Sequence, residues 1–399
     1  MLHPRQIAVI SKAFEMWRKN FAHFIQSLLP HINRWGSLKL REIDIFQFEM
    51  LQILPAPRLE TLHISDIGIG RELTNAPHIL FGERTPRLRD LSLTGVAIPL
   101  TSPVYSGLTR LQLASIHFIE SSLPRLVESL AACPHLESLS LDTVEFPPLT
   151  MFGTHFVVLE RLDFLRLGRL DRAAERFIFT AILPCPSLRL EMNSSVHAQD
   201  CGIFPPEAPL GILDTLQRSH QRIHSLEIHA HPTALSIIGR NKMYGEALFT
   251  LYFPDCGTSC LAKILPNLSP YIPFSQLEAL TLYGLDERKM STEEFGDIVF
   301  RRFPIVKVLA LVSCTPSFLD AITITPVSLL FPLLQTLRLV NMHVSGATVA
   351  VVESRMRQGH HFRPPGLFYP LQHVVLSNCY GEVRARIPEL RELVDLDWS

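Results

Sequence analysis

One alternation of apolar and polar positions keeps returning along this chain. Its clearest copy is Leu136-Glu-Ser-Leu139-Ser-Leu141-Asp-Thr-Val144: an apolar residue, two variable ones, an apolar one, one variable, an apolar one, two variable, and an apolar ninth. The same phrase stands at Leu88-Leu91-Leu93-Val96, Leu108-Leu111-Leu113-Ile116, Leu277-Leu280-Leu282-Leu285 and Leu334-Leu337-Leu339-Met342. With conservative exchanges it stands at Leu40-Ile43-Ile45-Phe48, Leu59-Leu62-Ile64-Ile67, Leu162-Leu165-Leu167-Leu170, Val306-Leu309-Leu311-Cys314 and Leu371-Val374-Leu376-Cys379. Alternation with period two predicts a strand that buries one face and leaves the other to solvent. One such strand cannot bury its apolar face alone, but a stack of like neighbours can.

Starts at 40, 59, 88, 108, 136 and 162 give steps of 19, 29, 20, 28 and 26 residues, and starts at 277, 306 and 334 give 29 and 28. These lie near the ~20–29 residue period of leucine-rich repeats. The expected fold class is α/β: a leucine-rich-repeat solenoid whose parallel strands line a concave sheet, with helices and turns on the convex side. Strands pack ~4.8 Å apart and helices ~8–10 Å apart. Stacking the two layers therefore predicts a horseshoe with one bare sheet face.

Residues 6–29 carry Ile10, Phe14, Trp17, Phe21, Phe24, Ile25 and Leu28 at three- and four-residue steps. That is an amphipathic helix ended by Pro30, and residues 1–35 are expected to cap the solenoid that occupies 36–399. Leu123, Leu126, Val127 and Leu130 predict a helix with Ser122 as its cap. Ser291-Thr-Glu-Glu294 is a capping box ahead of Phe295, Ile298, Val299 and Phe303. Val349, Val352 and Met356 mark another helix, and Leu390 with Leu393 a last short repeat. The middle, about 185–262, is irregular. It holds a clipped phrase at Leu188-Arg-Leu190, a partial one at Ile223-Leu226-Ile228 and a Pro-rich loop from Cys201. Ala247–Phe253 reads as a strand filling the slot between the phrases at 223 and 277.

Leu29-Pro-His-Ile-Asn-Arg-Trp35, Pro86-Arg-Leu-Arg-Asp-Leu-Ser-Leu-Thr-Gly-Val96 with Pro99 to Pro103, and Leu130-Ala-Ala-Cys-Pro-His-Leu-Glu-Ser-Leu139-Ser-Leu141 form a distinctive set. Val352-Glu-Ser-Arg-Met356 followed by Pro370-Leu-Gln-His-Val-Val-Leu-Ser-Asn-Cys379 extends it. In these stretches the chain resembles the leucine-rich-repeat region of F-box proteins, in particular the mushroom-type fungal set. The resemblance implies a protein-binding scaffold, the substrate-recognition part of an SCF-type ubiquitin ligase adaptor. F-box proteins open with a helical module that binds a Skp1-type adaptor, and no such signature precedes Trp35. The adaptor is thus an expected partner only if an F-box lies upstream; a truncated or orphan repeat scaffold without a ubiquitin role is the alternative, and an enzyme with a cysteine or metal site in the irregular 185–262 stretch is a further, weaker one.

Composition narrows the function classes. Apolar residues make up 47% and charged ones 19%, enough for a folded core. A formal net charge of −1 argues against coating nucleic acid or an anionic membrane. No uninterrupted apolar run approaches the ~18 residues of a membrane span. The seven cysteines are odd in number, and Cys314 and Cys379 replace an apolar ninth residue, which reads as buried thiols in a reducing cytoplasmic or nuclear compartment. No catalytic, cofactor-binding or metal-binding residue is assigned. Cys256 and Cys260 with His229 and His231 lack a zinc-finger spacing. His360-His361 reads as a solvated pair in a loop. Cys133 beside His135 reads as a buried, inert thiol.

The open sheet face holds the remaining candidates. Its central outward positions run Asp44, His63, Ser92, Gln112, Ser140, Arg166, Glu227, Thr281, Ala310, Arg338 and Val375. Val308, Val312 and Val340 flank the later ones. The candidate partner-binding set is Arg166, Glu227, Thr281, Val308, Ala310, Val312, Arg338, Val340 and Val375, with a protein partner expected on this concave face.

Overall fold

The computed structural model describes residues 26–41, 51–52, 54–65, 79–148, 156–194, 223–242, 245–254, 256, 260–268, 276–325, 330–357, 369–381 and 387–398. Most of the predicted N-terminal helix, Ile43, Ile45, Phe48, Asp44, Ile67, the loop from Cys201 and the His360-His361 pair lie outside them. Of the cap, residues 26–28 are helical, and Pro30 opens a 3₁₀ turn, Leu29–Arg34, rather than ending the element. The chain forms two compact units, the boundary falling between Glu191 and Met192 inside the irregular stretch. Each unit is α/β, built on a largely parallel sheet.

The first unit contains β1 (Ser37–Arg41), β2 (Thr61–Ser65), β3 (Asp90–Thr94), β4 (Arg110–His117), β5 (Ser138–Glu145), β6 (Val157–Leu159), β7 (Phe164–Gly168), β8 (Ile182–Pro184) and the start of β9 (Arg189–Asn193), which crosses the boundary. β1 to β5 and β7 pair in chain order, all parallel, with β9 next to β7. Helix α1 (Leu123–Ala131) joins β4 to β5, and α2 (Arg172–Ala181) joins β7 to β8. β6 and β8 make a separate parallel pair. Ser122 stands at the start of α1 without bonding through its side chain, whereas Asp171 caps α2 by accepting from the Ala174 amide at 2.8 Å.

The first phrase requires a correction. Leu38 pairs with Leu62 and Leu40 with Ile64, so the opening repeat is anchored at Trp35-Leu38-Leu40 and not at Leu40-Ile43-Ile45. Trp35 is 1% exposed and its amide donates to the Ile32 carbonyl, the turn that precedes the later phrases too. An aromatic first anchor hid the true register from a search for Leu.

The second unit contains β10 (Ser225–Ala230), β11 (Leu235–Arg240), β12 (Ala247–Phe253), β13 (Ala279–Tyr283), β14 (Val308–Val312), β15 (Thr336–Val340), β16 (His343–Val344), β17 (His373–Ser377), β18 (Tyr380–Gly381) and β19 (Asp395–Trp398). The sheet order is β12-β11-β10-β13-β14-β15-β17-β19. From β10 through β19 every pair is parallel. β11 and β12 break the pattern by running antiparallel on the side of β10 away from β13. The strand expected between the phrases at 223 and 277 therefore does not sit there: β10 pairs directly with β13. Gly239 makes the meander possible, because a Cβ there would fall 2.1 Å from the ring of Phe249 opposite.

Among the described residues, five helices accompany these strands: α3 (Cys260–Leu268), α4 (Thr292–Arg302), α5 (Ser317–Ile322), α6 (Gly346–Arg357) and α7 (Ile387–Leu393). Each touches the next in chain order, forming a row behind the sheet. The capping box forms as read: Ser291 N donates to Glu294 Oε2 at 2.9 Å and Glu294 N to Ser291 Oγ at 3.1 Å. Arg355 on α6 is wholly buried. It donates to the carbonyls of Phe331 (3.1 Å), Ile322 (2.9 Å) and Leu330 (2.6 Å), and burial lowers its pKa to about 10, so the side chain stays charged at neutral pH. Among the described residues no helix is long and apolar enough to cross a membrane.

Local rules repeat in both units. A turn precedes most phrases, its amide donating three residues back, as Leu88 does to Thr85 and Leu136 to Cys133, with Pro86 and Pro134 presetting φ at the second turn position. The eighth residue of the phrase has positive φ, between 47° and 71°, at Gly95, Ser115, Thr143, Arg169, Gly284, Ser313, Asn341 and Asn378. That conformation lets its amide reach the next strand: Gly284 N to Val312 O and Ser313 N to Val340 O, both 2.9 Å. A Cβ on Gly284 would lie 2.9 Å from the Ala230 carbonyl oxygen. Gly284→Ala is therefore expected to lower stability by at least ~1–2 kcal/mol. Ser313→Gly, at an exposed position of the same type, is expected to raise it by up to ~1 kcal/mol. Urea unfolding midpoints of the two variants check both signs.

Candidate protein-binding face

The alternation that makes the strands also makes the face. In β5, Leu139 and Leu141 are fully buried while Ser138 and Ser140 are half-exposed. The pattern repeats in β2, β3, β9 and β15, so one face of each sheet packs inward and the described residues of the other are largely half-exposed or exposed. Parallel register then sets outward residues of successive strands side by side, ~4.8 Å apart.

In the first unit the central outward row is Lys39, His63, Ser92, Gln112, Ser140 and Arg166. Lys39 takes the place expected for Asp44, a consequence of the corrected first register. This face is mostly polar, with Ala114 and Phe164 as its apolar outward residues. Asp90 lies 3.5 Å from His63 Nε2 and 2.7 Å from Arg110 Nη2. Burial opposes its ionisation, yet the nearby His63 ring and the bonds from Arg110 hold its carboxyl below 3.8. Arg169 reaches Asp142 at 3.3 Å, and Gly168 leaves room for that carboxylate. Arg166 is exposed and 4.0 Å from Glu191.

The other eight candidates lie on the second unit, and register brings them together. Glu227, Thr281, Ala310, Arg338 and Val375 form one transverse row, continued by Asp397. Val308 stands in the row before it, between Ala279 and Thr336. Val312 and Val340 are neighbours in the row after it, between Tyr283 and Ser377. Ala279 and Ala310 are 6% exposed; Val308, Val312, Val340, Val375 and Tyr283 are half-exposed. The result is an apolar patch centred on β14, extended by Ala279 and Tyr283 on β13, Val340 on β15 and Val375 on β17, with Thr281, Thr336 and Arg338 among them.

One border of the patch is a cluster that sequence reading did not assemble. Arg240 on β11 grips Glu227 with Nε to Oε1 at 2.8 Å and Nη2 to Oε2 at 3.4 Å, and donates to the Gly245 carbonyl at 2.8 Å. His229 stacks on Tyr283 with ring centroids 4.0 Å apart and planes 4° from parallel. Its Nε2 lies 3.6 Å from Glu227, beyond hydrogen-bond reach. Leu235 and Ile237, alternating ahead of a turn closed by the Gly245 amide on Lys242, were the available signal for β11.

The cysteine and histidine alternatives take other roles. Cys133 is fully buried, donates to Tyr105 O at 2.6 Å and has its pKa raised by burial, while His135 is exposed. Cys314 donates to Leu282 O at 3.3 Å and burial pushes its thiol up to about 11; Cys379 donates to Leu339 O at 3.2 Å. His229 is spent on Tyr283, and Cys256 lies buried with its amide on Thr233 O. Among the described residues no group of three His, Cys, Asp or Glu side chains is arranged to hold a metal ion. No protein-family model matches the chain, and no curated protein matches it.

Burial pulls the His229 pKa below 6.5, with Glu227 opposing only in part. The unfolded chain therefore binds this proton more readily than the folded one, and stability rises with pH across that window. On acidification from 6.5 downward, the wild-type protein is expected to lose melting temperature that His229→Phe, which keeps a ring on Tyr283, retains. A thermal melt series between pH 7.5 and 5 measures the difference.

Proposed function

We propose that the chain is a leucine-rich-repeat solenoid acting as a protein-binding scaffold, and that its binding surface is the half-exposed sheet face of the second unit. One observation carries this reading: register sets Val312 beside Val340 and puts Val308, Ala310 and Val375 in the adjoining rows, an apolar patch around Arg338. Such a patch, bordered by Glu227–Arg240 and Asp397, has the apolar centre and polar rim of a protein–protein interface. Isolated valines that satisfy strand propensity would not need to gather on three neighbouring strands. The occupant is a protein segment presenting apolar side chains, since a near-neutral chain lacks the basic surface that nucleic acid requires.

The role as substrate-recognition part of an F-box-type ubiquitin ligase adaptor rests on the resemblance of the repeat stretches alone. In that setting the protein held on the patch is the substrate.

The test substitutes Val312→Glu with Val340→Glu, and separately Ser92→Glu with Gln112→Glu on the polar face of the first unit. Partners purified with each protein are then quantified. Loss of at least one partner by about tenfold or more with the valine pair, and its retention with the control pair, is the expected outcome, since a buried hot-spot change costs ~2 kcal/mol or more. An identical partner list for all three proteins sinks the reading.

A further inference from the structure

A cavity of about 490 Å³ opens in the first unit, a size that suits a small molecule. Four of its eight lining residues are prolines: Pro55, Pro57, Pro86 and Pro103. Pro57 and Pro86 hold the same place in successive repeats. Each is the second residue of a turn, closed by Leu59 N on Ala56 O at 3.1 Å and by Leu88 N on Thr85 O at 3.0 Å. Pro103 opens a 3₁₀ turn, Pro103–Tyr105. Proline has a fixed φ and no amide hydrogen, so these walls are stiff, apolar and without donors. Ser106 also lines the cavity, but its hydroxyl donates to Pro103 O at 2.7 Å. The charged groups on the lining are Glu83 and Arg84.

A strained turn places those two. Phe81, Gly82 and Glu83 have φ of 51°, 54° and 61°, a left-handed run in which two members are not glycine. L-residues enter this region singly and at a cost, and a bulky one such as Phe is an outlier there. Phe81 is fully buried; its amide donates to Leu51 O at 2.9 Å and that of Gly82 to Gln52 O at 2.7 Å. The turn closes through Glu83 N on Leu80 O at 2.9 Å and Arg84 N on Phe81 O at 3.0 Å. In an extended strand, consecutive side chains leave on opposite sides. Here consecutive Glu83 and Arg84 line one cavity. Both are exposed, and among the described residues neither side chain is ion-paired, with its neighbour or with a third group. Backbone strain of this kind collects at ligand sites.

We propose that this cavity binds a free aromatic α-amino acid. Its ring lies among the proline rings, whose C–H groups meet the electron-rich aromatic face. Arg84 takes the α-carboxylate and Glu83 the α-ammonium group, both through charge-assisted hydrogen bonds. The two charges of such a ligand sit on one carbon, which suits a cation and an anion supplied by adjacent residues. An aromatic residue inside a peptide has neither charge, so the site selects the free amino acid over a protein segment. The cavity belongs to the first unit and the apolar patch to the second, so this proposal and the proposed function fail independently.

The experiment titrates the full chain calorimetrically with phenylalanine, tyrosine and tryptophan, each to millimolar concentration. N-acetyl-phenylalanine amide keeps the ring and loses both charges; alanine keeps the charges and loses the ring. Binding of at least one aromatic amino acid, and of neither control ligand, is the expected outcome. Glu83→Gln and Arg84→Gln, both at exposed positions, are each expected to weaken that binding by about tenfold. The two control ligands keep the test decisive should a variant not fold. Absence of binding by all three amino acids, equal binding of either control ligand, or unchanged affinity in either folded variant would overturn the proposal.

Discussion

A strand of alternating Leu and polar residues has no stable existence alone, and the rest of this structure follows from that constraint. Each phrase must find a neighbour that buries the same column and takes up the same backbone groups. The recurring solution is a single carbonyl just ahead of the strand that accepts two amides of the next, seen from Gly36 and Glu60 in one unit to Lys307 and Gln335 in the other. That shared acceptor sets register, and register sets which outward side chains meet. The apolar patch is thus a by-product of how the buried face is held together.

Ending the strand creates the second requirement. The chain has to turn inward at the ninth residue while the eighth still feeds the ladder, and only a left-handed backbone does both. Glycine meets this without strain at Gly95 and Gly284, while Thr143 and Arg169 adopt it at a cost that the surrounding packing must offset. The ninth residue is then enclosed, which is why Cys314 and Cys379 serve as small apolar groups whose thiols donate to the carbonyls of Leu282 and Leu339. The helical side has its own device. Arg355 places a full charge in the interior, where a cluster of three carbonyls from Ile322, Leu330 and Phe331 replaces water. It ties the end of α5 and the loop before β15 to α6.

Much of this was legible beforehand, and the misses have physical causes. The phrases at 59, 88, 108, 136, 162, 277, 306, 334 and 371 lie on strands because their period is two and their anchors are aliphatic. The first repeat was misplaced because Trp35 fills the anchor that Leu fills elsewhere, and the slip carried Asp44 to where Lys39 stands. β11 escaped because it joins the sheet antiparallel, outside the repeat template, through a turn and a close Gly239–Phe249 approach. Arg355 escaped because a charged residue on a helix reads as solvent-facing until the carbonyls around it are placed. The two faces divide likewise: the valines were named from sequence, whereas the Glu227–Arg240 pair and the His229–Tyr283 stack join strands whose adjacency no local pattern encodes.

By itself the sequence determined the strands, their buried faces and the row of outward residues, because alternation and spacing act over a few neighbouring residues. Only the tertiary structure decided that β10 lies against β13 with β11 and β12 on its far side, that Arg166 belongs to one unit and the apolar patch to the other, and which polar groups meet. Those outcomes depend on pairing between segments far apart in the chain, where several arrangements satisfy the same local pattern and packing alone selects among them.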